Sequence, residues 1–152
     1  MAKIKIYLDN CCFNRPYDDQ SHLSIFLETQ AKLGIQDLIE EKIVNLVWSF
    51  ILDFENSENP DEVVKNEILL WRSLSFLIVS KNDLLVSYAE NLNCAGFSKK
   101  DALHIAAAVD AKADYFITVD KGLIHRKRLV DNIKIVNPIE LVSLLEEYHN
   151  EI

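Results

Sequence analysis

Residues 98–120 read SKKDALHIAAAVDAKADYFITVD, and this stretch decides the fold. Ser98 stands where a helix N-cap belongs, and Asp101 occupies the third helical position, close to a capping box. Ala102, Ile105, Ala106 and Val109 then recur at helical spacing. After the helix, Tyr115 to Val119 is a short apolar run that reads as a buried strand, and it stops at Asp120. A helix feeding directly into a strand is half of a parallel-sheet unit.

Working outward, the same grammar repeats. Residues 3–8 read as a strand that stops at Asp9. The polar stretch Asn10 to Asp19, with Pro16, reads as a loop. Apolar positions from Leu23 to Ile39 predict a helix over about 21–41, interrupted near Gly34. Residues 43–48 predict a strand, 49–55 the start of a helix, 61–75 a helix and 76–79 a strand. A helix over 83–95 stops at Gly96. Beyond Asp120, 123–130 reads as helical, 133–136 as a strand, and Pro138 opens a last helix to about His149. The expected fold is α/β, a central parallel sheet of four or five strands with helices on both faces. With no repeat, low-complexity tract or linker, residues 1–152 read as a single domain. Right-handed crossovers bring the strands' C-terminal ends to one edge, where open α/β sheets bind ligands at the topological switch point.

The chain of 152 residues is 49% hydrophobic and 26% charged, the composition of an ordinary globule, which argues against disorder. No apolar run reaches the roughly 18 residues of a membrane span. The alternating N-terminus lacks the apolar core of a secretory signal, so a cytoplasmic protein without membrane association is expected. Cys11, Cys12 and Cys94 form neither a disulfide framework nor paired zinc-ligand spacing, and read as reduced thiols. The net charge of −8 disfavours broad non-specific nucleic-acid binding. The charge is uneven, however: residues 98–137 carry eight positive and five negative groups.

Asp9 and Asp120 each end an apolar strand. Asp53 and Glu55 follow the second strand, and Asp101 lies in the first turn of the helix that leads to Asp120. Two carboxylates 4 Å apart repel by roughly 4 kcal/mol at an effective dielectric near 20. Such a cluster therefore raises its pKa values or holds a cation. Oxygen ligands suit a hard ion such as Mg²⁺ or Mn²⁺, which also takes phosphate oxygens and serves phosphodiester hydrolysis. Equally, an acid such as Asp101 is favoured in a helix first turn by the dipole alone.

Four blocks together resemble the PIN domain family, the metal-dependent ribonucleases that include VapC-like toxins of toxin–antitoxin pairs. They are Ile6-Tyr7-Leu8-Asp9, Trp48-Ser49 with Glu55 six residues after the serine, residues 98–108, and residues 113–120. The resemblance spans essentially the whole chain and implies an Mg²⁺- or Mn²⁺-dependent endoribonuclease that cleaves RNA with metal-activated water. Position by position it implies a catalytic set of Asp9, Glu55, Asp101 and Asp120, with Asp9, Asp101 and Asp120 holding metal. Asp53 is the rival of Glu55; the two point about 200° apart on a helix, so one ion does not easily take both. Asn10 stands where the family often has a small hydroxyl residue. Toxin-type members imply an antitoxin partner, and many members form homodimers.

Arg15, Lys99 and Lys121 are candidate phosphate contacts that would guide an RNA backbone; Arg15 pairing with Asp18 or Asp19, and a solvated basic helix face, are the plainer readings. His104, three residues after Asp101, reads as an outer partner of the acids or as a satisfied buried histidine. Ser49 reads as a helix N-cap, Thr118 as a candidate support for Asp120, and Trp48 and Trp71 as core. A catalytically inactive PIN-like module that binds protein or RNA is the alternative function. A phosphoryl-transfer domain ranks third, because Cys11 occupies the position where one such class needs a second acid.

Overall fold

The computed structural model describes residues 3–150; residues 1, 2, 151 and 152, the outermost of the span read as one domain, lie outside the described residues. In chain order the elements are β1 (Lys5–Leu8), α1 (Asn10–Asn14), a 3-10 turn (Arg15–Tyr17), α2 (Leu23–Glu40), β2 (Asn45–Ser49), α3 (Phe50–Ser57), α4 (Glu62–Leu74), β3 (Leu77–Val79), α5 (Asp83–Cys94), α6 (Lys99–Asp110), β4 (Tyr115–Ile117), α7 (Lys121–His125), a second 3-10 turn (Lys127–Leu129), β5 (Lys134–Val136) and α8 (Pro138–Asn150). All strand pairings are parallel, in the order β3-β2-β1-β4-β5. The α/β architecture expected from the sequence is the observed one, with five strands.

β1 is the central strand, and its residues explain why. Ile6, Tyr7 and Leu8 are fully buried, as a strand covered on both faces requires. In register, Tyr7 lies beside Val47 of β2 on one side and Phe116 of β4 on the other. The Tyr7 and Phe116 rings stack with centroids 5.3 Å apart. Trp48 is also fully buried, with Phe13 packed edge-on at 5.3 Å. The reading of Trp48 as core is thus the observed one, and Trp71 packs partly buried against the same core. α5 and α6 pack together, as do α2 and α8.

Two local expectations are corrected. The stretch read as a loop, Asn10 to Asp19, opens with α1 and a 3-10 turn. Its polar composition hid Cys12 and Phe13, which are buried one after the other in the core. The Asp9 side chain caps α1 by accepting from the Asn10 N–H. α2, in turn, runs unbroken through Gly34. Glycine costs a helix about 1 kcal/mol relative to alanine, but Ile35, Gln36 and Ile39 are anchored in the interior just beyond it, and tertiary packing overrides the local preference.

Between β1 and β4 the order of connection reverses: the chain leaves β1 towards β2, and leaves β4 towards β5. That is the switch point, and Asp9 and Asp120 follow the two strands that border it.

Candidate metal centre

Asp9 is held from three sides. Thr118 Oγ1 donates to its Oδ2 at 2.9 Å, Cys11 Sγ donates to the same oxygen at 3.4 Å, and the Asn10 N–H donates to Oδ1 at 2.8 Å. Asp9 is 6% exposed. Thr118 also accepts from the Asp120 N–H at 3.1 Å, so one fully buried hydroxyl ties the ends of β1 and β4 together. It supports Asp9 through its side chain and Asp120 only through the backbone.

Glu55 reaches the same place from α3. Asn10 Nδ2 donates to its Oε2 at 3.2 Å, and its Oε1 bonds His104 Nε2. Burial pushes the Glu55 carboxyl up, but the His104 bond and charge, the Lys100 charge and the Asn10 bond outweigh it, and the group lies below its ordinary pKa. Asp53 is turned elsewhere: its Oδ1 accepts from Trp48 Nε1 at 2.8 Å and from Arg72 Nε at 3.0 Å. Of the two rivals, the geometry brings Glu55 towards Asp9.

His104 is 1% exposed. Its Nε2 lies 3.8 Å from Asp9 Oδ1 as well as against Glu55. Its Nδ1 meets the Tyr7 hydroxyl at 2.6 Å, and that hydroxyl meets Ser49 Oγ at 2.6 Å. Ser49 also acts as the expected N-cap of α3, accepting from the Leu52 N–H at 3.3 Å. One ligand atom from each of Asp9, Glu55 and His104 lies within 4.8 Å of the others. Sequence reasoning held His104 at the edge of the site and gave Tyr7 no part in it. The signal available for His104 was its place one helical turn after Asp101, on the same face of α6.

Asp101 sits in the first turn of α6, and Ser98 caps that helix by accepting from its N–H. Burial raises the Asp101 pKa, the charge of Asp9 raises it further and that of Asp120 adds to it, against the opposing Ser98 bond and His104 charge. Asp101 therefore stands in the field of both carboxylates but outside the tight trio. Asp120 is exposed and caps α7, its Oδ1 accepting from the Gly122 N–H at 2.8 Å and the Leu123 N–H at 3.2 Å.

A raised carboxyl pKa means that its ionised form destabilises the fold. Below the unfolded value both states are protonated and nothing is lost; the penalty grows as pH rises from the unfolded value and is complete above the folded one. Asp101→Asn is therefore expected to raise the melting temperature of the metal-free protein at pH 7. The gain should vanish near pH 3.5, and differential scanning fluorimetry across pH 3.5–7 reads it.

The candidate phosphate contacts divide. Lys99 and Lys121 are exposed at the starts of α6 and α7, beside Asp101 and Asp120. Arg15 is engaged instead in ion pairs with Asp18 at 2.9 Å and Glu28 at 3.3 Å.

A five-stranded parallel sheet in this order, with acids gathered at its switch point, is a PIN-type fold. No family model matches the chain, and no curated protein sequence matches it. Among solved structures it is similar to VapBC2 from Rickettsia felis bound to a DNA fragment from its promoter, with 17% identity, a TM-score of 0.56, and coverage of 88% of this chain and 98% of that one. It is likewise similar to FitAcB from Neisseria gonorrhoeae, with 17% identity, a TM-score of 0.57, and coverage of 88% of this chain and 97% of that one.

Proposed function

We propose that the protein is a metal-dependent endoribonuclease of PIN type, acting as the toxin of a toxin–antitoxin pair. The observation that carries this reading is the convergence of Asp9, Glu55 and His104 within 4.8 Å at the sheet's switch point, with Asp101 in the field of Asp9 and Asp120. The donor set fits a divalent ion: two carboxylates and an imidazole, the carboxylates steered by Thr118, Cys11 and Asn10. The buried Oδ1 of Asn10, without a partner beside Glu55, adds a further polar atom that the protein alone does not satisfy.

Asp9 and Glu55 would hold Mg²⁺ or Mn²⁺, with Asp101 and Asp120 completing the charge directly or through water. The ion would supply activation of the attacking water and stabilisation of the departing oxygen. The chain's own part is positioning. Thr118 and Asn10 fix the carboxylates, and Lys99 and Lys121 are exposed next to the acids, where they would draw in the RNA phosphates. Arg15 serves that role only if its pairs with Asp18 and Glu28 open.

Both similar structures are named as two-component assemblies, one of them on DNA, and this supports an antitoxin partner. Among the described residues no helix is long and apolar enough to cross a membrane. Homodimerisation accords with exposed Leu74, Phe76, Leu77 and Ile78 around the edge strand β3.

The test is cleavage of a fluorescently labelled structured RNA by metal-free protein supplied with Mn²⁺ or Mg²⁺. Cleavage that appears with the ion and stops with EDTA is expected. Calorimetric titration of Mn²⁺ into wild type and into Asp9→Asn/Asp120→Asn should show binding only in the former. Ion binding without cleavage of any RNA would favour the inactive binding module instead.

A further inference from the structure

The buried polar chain behind the acids has work to do that the carboxylates alone do not explain. Ser49, Tyr7 and His104 are 0–1% exposed, and the Tyr7 hydroxyl bridges the other two at 2.6 Å on each side. Buried polar groups are kept where donors and acceptors are satisfied, and this chain can run in two directions.

In one direction Ser49 donates to Tyr7, Tyr7 donates to His104 Nδ1, and the Nε2–H donates to Glu55. In the other, the Nδ1–H donates to Tyr7, and Tyr7 donates to Ser49 Oγ, which already accepts from the Leu52 N–H and has a second lone pair free. The second direction leaves the Nε2 lone pair bare and facing Asp9 and Glu55. The change takes the imidazole proton off Nε2 and places one on Nδ1, turns both hydroxyls about their C–O bonds, and costs the Ser49 O–H its acceptor, so a cation at the bared Nε2 must offset it.

Resting on the metal-dependent reading above, we infer that His104 Nε2 is a nitrogen ligand of the ion held by Asp9 and Glu55, its tautomer set by Tyr7 and Ser49. An imidazole among carboxylates shifts selectivity away from Mg²⁺, which prefers oxygen throughout, towards Mn²⁺, Co²⁺ or Zn²⁺. The Tyr7 hydroxyl is a positioning group: it holds the Nδ1–H as the outer partner that orients a metal-bound histidine.

Pulsed electron paramagnetic resonance of Mn²⁺ bound to wild-type protein labelled with ¹⁵N-histidine tests this directly, because it detects a nitrogen on the ion whether or not RNA is cleaved. A single ¹⁵N coupling is expected. His104→Gln should bind Mn²⁺ at least about tenfold more weakly and, at saturating ion, lack the coupling. Its preference for Mn²⁺ over Mg²⁺, measured by calorimetry, should fall by a similar factor. Tyr7→Phe keeps the ring stacked on Phe116 and should retain the coupling while weakening Mn²⁺ by about 10–100-fold.

Mn²⁺ bound in wild type without a nitrogen coupling, or a coupling that survives in His104→Gln, overturns the inference and leaves the carboxylate metal site intact. No Mn²⁺ binding in wild type overturns both.

Discussion

Asp9→Asn is expected to lower ion-dependent RNA cleavage by about a thousandfold while the protein still folds. Charge stabilisation by a metal in the transition state is worth several kcal/mol, and each 1.36 kcal/mol is a factor of ten in rate. The asparagine keeps the contacts that build the local structure. Its carbonyl oxygen still accepts from the Asn10 N–H, so the cap of α1 survives. Its amide can donate to Thr118 Oγ1, which still accepts from the Asp120 N–H, while the Thr118 hydroxyl proton turns to Cys11 Sγ 3.4 Å away. What is lost is the negative charge beside Glu55 and His104. Asp9→Ala would be a poorer probe, since it also removes the helix cap, costing about 1 kcal/mol, and leaves the buried Thr118 hydroxyl without its partner. The rate is read with labelled RNA in Mn²⁺, and the fold by the melting temperature without metal. An Asp9→Asn protein that cleaves at the wild-type rate would remove Asp9 from the reaction and with it the proposed centre.

The acids at strand ends were legible because a strand buried on both faces is a run of apolar residues, and whatever polar residue follows it lies at the sheet edge. That logic locates Asp9 and Asp120 and the sheet between them. It fails at α1, where Cys12 and Phe13 are flanked by polar neighbours and the burying contacts come from Trp48 and the β4 carbonyl of Ile117, both distant in sequence. It also leaves Asp53 and Glu55 undecided, because helical spacing shows that they diverge but not which one turns inward. The decision comes from the indole of Trp48 and the guanidinium of Arg72, which engage Asp53 and so leave the inward position to Glu55. The pairing of Tyr7 with His104 joins residues 97 positions apart and has no local signature at all. Such cross-chain polar contacts are set by which strand lies beneath which helix, a property of the topology rather than of any window of sequence.

Lys32→Met is expected to stabilise the protein by about 3 kcal/mol at pH 7, and the gain should shrink steadily as pH rises from 8 to 10.5. Lys32 lies on α2 and is 2% exposed. Its ammonium is 5.3 Å from the centre of the Phe13 ring and 5.7 Å from that of Trp71. Gln36, with its amide oriented to serve both neighbours, accepts from Trp71 Nε1 at 3.0 Å and from Lys32 Nζ. Among the described residues no carboxylate pairs with it, and burial pushes its pKa down to about 8. A depressed lysine pKa means that the folded state binds fewer protons than the unfolded one between the folded value and the ordinary one. Stability therefore rises with pH across that window, and below it the full cost of burying the charge is present. At 1.36 kcal/mol per unit, a fall from 10.5 to about 8 corresponds to about 3 kcal/mol. Methionine fills a similar volume without the charge. The wild-type curve alone would mislead, because burial raises the Cys12 thiol and the Tyr7 phenol well above their ordinary values, and each makes the fold lose stability as pH climbs past 9 and 10. Urea unfolding of both proteins from pH 7 to 10.5 cancels the Tyr7 contribution in the difference; Cys12 and Lys32 feel each other's charge, so the slope between pH 8 and 9, before the unfolded thiol ionises, reads Lys32. A flat difference across that range would mean that Lys32 is charged and fully compensated in the folded state, and that the two rings and Gln36 together replace its water.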